Sequence, residues 1–436
     1  MRVVREAGGG GGGVGTRLLT EQPHLLQRIA AEAGTPVYVY DAGTIRNQYS
    51  ALRQALRDIR HRLFYSVKAN SNLAILELIR KLGAGADIVS VGELERVLEA
   101  GYHPDTVVFS GVGKTPNELA RALDAGVGLL KIESAAELEM VSELARRKKI
   151  RADVGIRVNP DVSADTHPYT RTGEEGMKFG VRRDEVVDVA RWTLAVPEVR
   201  LVSIGMHIGS QILDADHYRN GARTLARLVG ELRTVGCDSL KTVNVGGGMG
   251  IRYTSEHALS PDDFVAAVRP LADETGLELA VEPGRYLVGA AGLLLTTCLY
   301  RKRMGEKDFV IVDAGMNDLL RPSLYDAVHD IVVIGRATAS ATPAIVDVVG
   351  PVCESGDFLG LGRQLTGVEP GSLLAIVGAG AYGFTMASSY NSRPRPPEVL
   401  VDDGRWAVIR DRETVRDLMR GERSLTEVEN AGAWIQ

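Results

Sequence analysis

Cysteine is scarce in this chain. Three occur in 436 residues, Cys237, Cys298 and Cys353, far apart and odd in number. That argues against a disulfide framework and fits a reducing compartment, so a cytoplasmic location is expected. No C-x-x-C pair or clustered His/Cys spacing points to zinc, and no metal is expected. Basic charge is not in excess either: 51 Lys and Arg stand against 56 Asp and Glu. The net charge of −5 offers no field for nucleic acid or anionic lipid. No basic cluster is interleaved with aromatics. No apolar run approaches the ~18 residues of a bilayer span, and the N-terminus lacks a signal-peptide core. Neither a nucleic-acid nor a membrane partner is expected.

What is present is a regular alternation. Strand-like runs at 63–67, 87–90, 107–110, 129–132, 153–158, 202–208, 242–245 and 279–282 are separated by helix-like stretches. Two of those stretches, 73–82 and 91–100, close on Gly83 and Gly101, a common helix stop. Eight strands alternating with helices predict a closed (β/α)8 barrel. Beyond about Val288, runs at 309–312, 331–334, 344–349 and 373–377 are joined without crossover helices. This reads as a β-rich second domain, a sandwich or small barrel. The expected division is an N-terminal segment 1–33, a barrel 34–287 and a β domain 288–436. The segment opens on polyglycine at 8–13, which cannot pack, then turns amphipathic and helical over 16–33, a helix or strand expected to pack on the β domain. A short helix is expected at 413–420.

Polar residues gather just after the barrel runs. Phe64-Tyr65-Ser66-Val67-Lys68-Ala69-Asn70 is an apolar run ending in one lysine. Such a lysine can form a Schiff base with an aldehyde cofactor, although most lysines are simply solvated. Asp87 opens the second run. His207 lies in Gly205-Met206-His207-Ile208-Gly209-Ser210-Gln211, where small residues leave its face open to a flat ligand. Gly246-Gly247-Gly248-Met249-Gly250 lets backbone N–H groups approach a phosphate, though tight turns need glycine too. Its spacing is neither the nucleotide P-loop nor the Rossmann pattern. Glu282-Pro283-Gly284-Arg285 puts a carboxylate and a guanidinium at the eighth strand end. They are a structural salt bridge, or they face a cationic ring nitrogen and a carboxylate separately. In a barrel these strand ends share one face, where active sites sit.

The second domain adds Arg321-Pro322-Ser323-Leu324-Tyr325, Cys353-Glu354-Ser355-Gly356-Asp357 and Tyr382 among small residues. Taken in order, these segments resemble the diaminopimelate decarboxylases. Those are pyridoxal-phosphate enzymes with an alanine-racemase-like barrel and a β domain. The resemblance runs from about Gly34 to Met419 and rests on six separate motifs.

It implies roles residue by residue. Lys68 would carry the cofactor, with Asp87 beside it. His207 would stack on the pyridine ring, with Ser210 near the cofactor. Gly247, Gly248 and the Gly284-Arg285 turn would hold the phosphate. Glu282 would pair with the ring nitrogen. An adjacent carboxylate keeps that nitrogen protonated, which favours decarboxylation over racemisation. Tyr382 would touch cofactor and substrate. Arg285, Arg321 and Tyr325 would bind the substrate carboxylate that stays, and Glu354 its amine. Cys353 would return a proton to Cα, with Lys68 as the alternative. Cys353 and Glu354 would reach the partner subunit's site, making a homodimer with a shared active site. The expected reaction is decarboxylation of meso-diaminopimelate to L-lysine. The rival readings are a same-fold decarboxylase of a D-amino acid or carrier-bound substrate, an amino-acid racemase, and a non-catalytic pyridoxal-phosphate-binding protein.

Overall fold

The computed structural model describes residues 16–161, 167, 169, 172, 173, 176–335 and 342–431. The polyglycine run lies outside them. Strands β2 (His61–Ser66), β3 (Gly85–Ile88), β4 (Val107–Phe109), β5 (Leu129–Ile132), β6 (Ala152–Asn159), β8 (Val199–Met206), β9 (Thr242–Asn244) and β10 (Glu278–Val281) pair in parallel. β10 also pairs with β2 and β5 with β6, so the eight strands close on themselves. A two-residue strand, β7 (Val181–Arg182), extends β6 outside the closed ring. The expected eight-stranded barrel is therefore present.

The period of two along each strand explains how the barrel is filled. Phe64, Val108, Leu129 and Ala280 pack together as a small separate apolar cluster. Two residues further along the same four strands stand Ser66, Ser110, Lys131 and Glu282, all buried and all polar. The inward ladder thus has an apolar layer below and a polar layer at the C-terminal mouth. Gly85 belongs to the lower layer. A Cβ there would stand 2.7 Å from the Phe64 ring, so its lack of a side chain makes room for that ring. Helices cover the outside through one apolar stripe each. In the helix Val91–Glu99 that stripe is Leu94 and Val97, and the Ser90 side chain caps it by accepting from the Glu93 N–H.

The second sheet is mixed and has nine strands: β1 (Val37–Asp41), β11 (Gly292–Met304), β12 (Lys307–Val312), β13 (Ile331–Ile334), β14 (Pro343–Val349), β15 (Phe358–Thr366), β16 (Leu373–Val377), β17 (Glu398–Asp402) and β18 (Arg405–Arg410). Its main path runs β15-β14-β12-β11-β1-β17-β18, with β16 joining β11 to β13. Here the structure departs from the expected boundary at residue 34. β1 lies within the stretch given to the barrel, yet it is central to this sheet, antiparallel to β11 and parallel to β17. A strand of five buried residues, VYVYD, needs partners on both edges, and the closed barrel offers none.

Two helices differ as well. The helical stretch expected at 16–33 is two helices, Thr16–Glu21 and Pro23–Ala33. Pro23 lacks the N–H that would continue the first, and it starts the second at N1. The second buries Leu25, Leu26 and Ile29 against Val37, Val39, Leu293 and Leu295 of the β sheet. The tail helix is shorter than expected, Val415–Leu418, and is followed by Leu425–Asn430.

Candidate active site

Lys68 sits in a single 3-10 turn, Val67–Ala69, directly after β2. Its Nζ donates to Asp87 Oδ2 at 3.2 Å. Asp87 is held from two further sides. The Ser66 hydroxyl donates to Oδ2 at 2.9 Å, and the Ser110 hydroxyl donates to Oδ1 at 2.6 Å. Burial alone would push the Asp87 carboxyl up. Lys68, Lys131 and the two hydroxyls outweigh it and hold the pKa down at about 2. Burial likewise disfavours the Lys68 ammonium, but Asp87, joined by Tyr382, Glu282 and Glu93, reverses this and raises its pKa above the usual lysine value.

Glu282 follows β10 and is buried. Its Oε1 accepts from Lys131 Nζ and, at 2.7 Å, from Asn244 Nδ2. Its Oε2 receives no hydrogen bond from the described residues. The carboxylate is therefore pinned through one oxygen and open through the other. His207 Nδ1 accepts from the Gly247 N–H at 3.3 Å. Burial, then the charges of Arg157, Lys68 and Lys131, keep this imidazole neutral far below its ordinary pKa.

Lys68, Asp87, Lys131, Arg157, His207 and Glu282 line one cavity of about 420 Å³. That volume suits a small flat cofactor. The adjacent loops are zipped together: the Ile212 N–H donates to Gly248 O, and the Gly250 N–H donates to Ile212 O, each at 2.9 Å. A Cβ on Gly247 would fall 2.0 Å from Glu282 O, and one on Gly248 2.3 Å from Gly209 O. Only glycine permits this close backbone approach.

Arg285 donates to Ser210 Oγ at 2.8 Å and to the Tyr253 hydroxyl at 2.6 Å. Its guanidinium carbon lies 4.9 Å from the Tyr382 ring centre. Tyr382 in turn donates its backbone N–H to Ala69 O at 2.8 Å, which ties the β domain to the lysine turn. Arg321 stacks on the other side of the cluster, 4.5 Å from the Tyr253 ring centre. Arg285 and Arg321 are both buried, the Nε of each has no partner, and no carboxylate pairs with either among the described residues. Tyr325 ends the short helix that Arg321 begins.

The structure thus brings Lys68, Asp87, His207, Ser210, Gly247, Gly248, Glu282, Arg285, Arg321 and Tyr382 around one barrel mouth. Gly284 packs against Ser66 and Ala69 in the same place. Glu282 and Arg285 do not pair with each other, so the salt-bridge reading of that segment does not hold. Cys353 and Glu354 are exposed on the β domain, in a loop whose Gly356 O accepts from the Ser323 hydroxyl at 2.5 Å. Asp357 beside them has a structural task, accepting from the Met316 and Val352 N–H groups at 2.6 Å. Sequence reading missed Lys131, Asn244 and Tyr253. For Lys131 a signal existed: a lysine inside the apolar run Leu-Leu-Lys-Ile is out of place unless paired.

The donor set fits pyridoxal phosphate. A lysine for its aldehyde, a half-open carboxylate for its ring nitrogen, a neutral imidazole for its face and a glycine cradle beside Arg285 and Ser210 for its phosphate all meet at this mouth. Comparison with known proteins agrees. Residues 42–289 match the pyridoxal-dependent decarboxylase, pyridoxal binding domain. The chain is 45% identical to a diaminopimelate decarboxylase of Pseudomonas aeruginosa, over 92% of this chain and 96% of that one. It is 42% identical to that of Aquifex aeolicus, over 89% and 91%. A crystal structure of the Helicobacter pylori diaminopimelate decarboxylase complexed with L-lysine superposes with a TM-score of 0.87 at 40% identity, over 93% of this chain and all of that one. With fold, site and likeness over nearly its whole length in agreement, the chain belongs to the diaminopimelate decarboxylases and is a pyridoxal-dependent enzyme.

Proposed function

We propose that this enzyme decarboxylates meso-2,6-diaminopimelate to L-lysine and CO2, the last step of lysine biosynthesis. One observation carries the substrate choice: the buried guanidinium of Arg321 lacks any carboxylate partner among the described residues. An uncompensated buried charge costs several kcal/mol, and an anionic ligand removes that cost. A substrate with a second carboxylate supplies the anion; ornithine does not. The Helicobacter pylori relative, solved with L-lysine, supports the product.

Pyridoxal phosphate, when bound, supplies the conjugated electron sink that takes up the charge left at Cα as CO2 departs. The protein's residues do the rest. Lys68 anchors and later releases the bound molecule. Glu282, pinned through Oε1 by Lys131 and Asn244, would keep a proton on the ring nitrogen. His207, neutral, offers a flat face without adding a charge. Arg285 with Ser210 grips an anion, and Arg321 and Tyr325 bind the distal carboxylate. Cys353 or Lys68 returns the proton to Cα.

The functional unit in this reading is a cytoplasmic homodimer in which Cys353 and Glu354 complete the partner subunit's site. Their exposure in the single chain supports it. Among the described residues no helix is long and apolar enough to cross a membrane.

CO2 release from a panel of diaminopimelate, ornithine and lysine tests the substrate. At least about 100-fold preference in kcat/KM for diaminopimelate is expected; comparable rates on ornithine overturn the reading. Mixing Lys68→Ala and Cys353→Ala chains tests the shared site. Hybrid dimers should regain activity that neither parent has, and no recovery under subunit exchange counts against it.

A further inference from the structure

Arg321 has an unusual partner. Its Nη1 lies 2.9 Å from Nε2 of His329, a residue with no exposure to solvent. On the other side of the ring, His329 Nδ1 lies 2.8 Å from Val377 O. A carbonyl can only accept, so Nδ1 carries the proton. A guanidinium can only donate, so Nε2 must offer its lone pair. One tautomer of the neutral ring satisfies both contacts, and β16, which carries Val377, fixes its orientation. Edge-on contact with Tyr253, ring centres 5.0 Å apart, closes the third side. Arg363 holds the backbone in place by donating to His329 O at 2.7 Å.

The choice of acceptor matters. A carboxylate in this position would hold Arg321 equally well but would cancel its charge. A neutral imidazole fixes the guanidinium and leaves the full positive charge for a ligand. Burial and the three nearby arginines, 321, 285 and 363, keep the ring neutral, with its pKa down at about 3.

We infer that His329 is a positioning residue that aims the uncompensated Arg321 at the distal carboxylate of the substrate and so sets specificity for a dicarboxylate. The inference rests on the substrate reading given above. Two substitutions separate the two contacts of the ring. His329→Asn keeps a donor for Val377 O but has no acceptor for Arg321. His329→Gln places an oxygen near the Nε2 position and restores that acceptor.

Steady-state kinetics on diaminopimelate, cofactor titration by visible absorbance and thermal melting are to be measured on holoenzyme of both variants and of Arg321→Met. His329→Asn should raise KM about 10-fold or more, with kcat within about 3-fold and cofactor affinity unchanged. His329→Gln should bring KM back to within about 3-fold of wild type. Unchanged KM in His329→Asn overturns the inference, as does an equal loss in Asn and Gln variants that tracks their melting temperatures. Arg321→Met distinguishes the two levels. If it leaves KM unchanged, the substrate reading itself fails; if it raises KM while His329→Asn does not, only the role of His329 falls.

Discussion

Lys68 and Asp87 meet at 3.2 Å across the neighbouring parallel strands β2 and β3. This pair sets the state of the amine before the cofactor arrives. Burial pushes the lysine pKa down, and Asp87, together with Tyr382, Glu282 and Glu93, more than offsets it. Asp87→Asn removes the opposing anion, so the pKa should fall. Uptake of pyridoxal phosphate by apoenzyme needs the neutral amine. Its rate-versus-pH midpoint, followed by stopped-flow absorbance, should move to lower pH by ~1 unit or more. An unmoved profile means the carboxylate does not control the amine.

Lys68→Ala should abolish the visible absorbance of the holoenzyme and reduce turnover by at least about 1,000-fold. A variant with the wild-type spectrum and rate removes Lys68 from the mechanism.

Cys353 is exposed in the single chain and is proposed to act in the partner's site. Cys353→Ala should lower kcat far more than it changes KM for diaminopimelate. If KM alone moves, the thiol is a contact residue and Lys68 returns the proton.

Lys131 and Glu282 form a buried ion pair, each side chain 5% exposed. Breaking such a pair from one side costs roughly 3–5 kcal/mol, because the remaining charge stays buried. Lys131→Met should lower apoenzyme stability by about that much in urea denaturation. Lys131→Met with Glu282→Leu should recover at least about half of it. Equal loss in the single and double variants points to packing rather than charge.

His329 gives a pH signature of its own. Its folded pKa, about 3, lies below the ordinary value of 6.5. The unfolded chain therefore binds the extra proton between those limits, and stability is lost as pH falls from 6.5 toward 3. Between pH 6.5 and 5 the loss is about 2 kcal/mol. His329→Gln should lack this component, so the wild type and variant should converge in stability on acidification. Parallel curves would mean that the ring is already charged in the folded protein.

Much of the site was legible because barrel geometry makes strand ends meaningful. Lys68, His207 and Glu282 each follow an apolar run, and eight such runs have one face on which their ends converge. Lys131 and Asn244 were not legible in the same way. They stand within strands, and whether a strand residue points inward depends on closure, which no single strand reveals. Nothing local marks His329 either, since its partners Arg321 and Val377 come from a helix and a strand that only the folded sheet brings together. β1 reads as a good strand, but its membership depends on β17, near the far end of the chain.

The position of β1 between β11 and β17 has a consequence for how the molecule is made. The β domain is discontinuous: the barrel is an insertion between its first strand and the rest. A ribosome delivers residues 37–41 early and residues 398–402 almost last, so that sheet stays open through most of synthesis. The barrel can close first, while β1 waits with bare edges for a partner not yet made. An excised fragment starting at residue 288 would lack its central strand, and a circular permutant opening before β2 would make the β domain continuous.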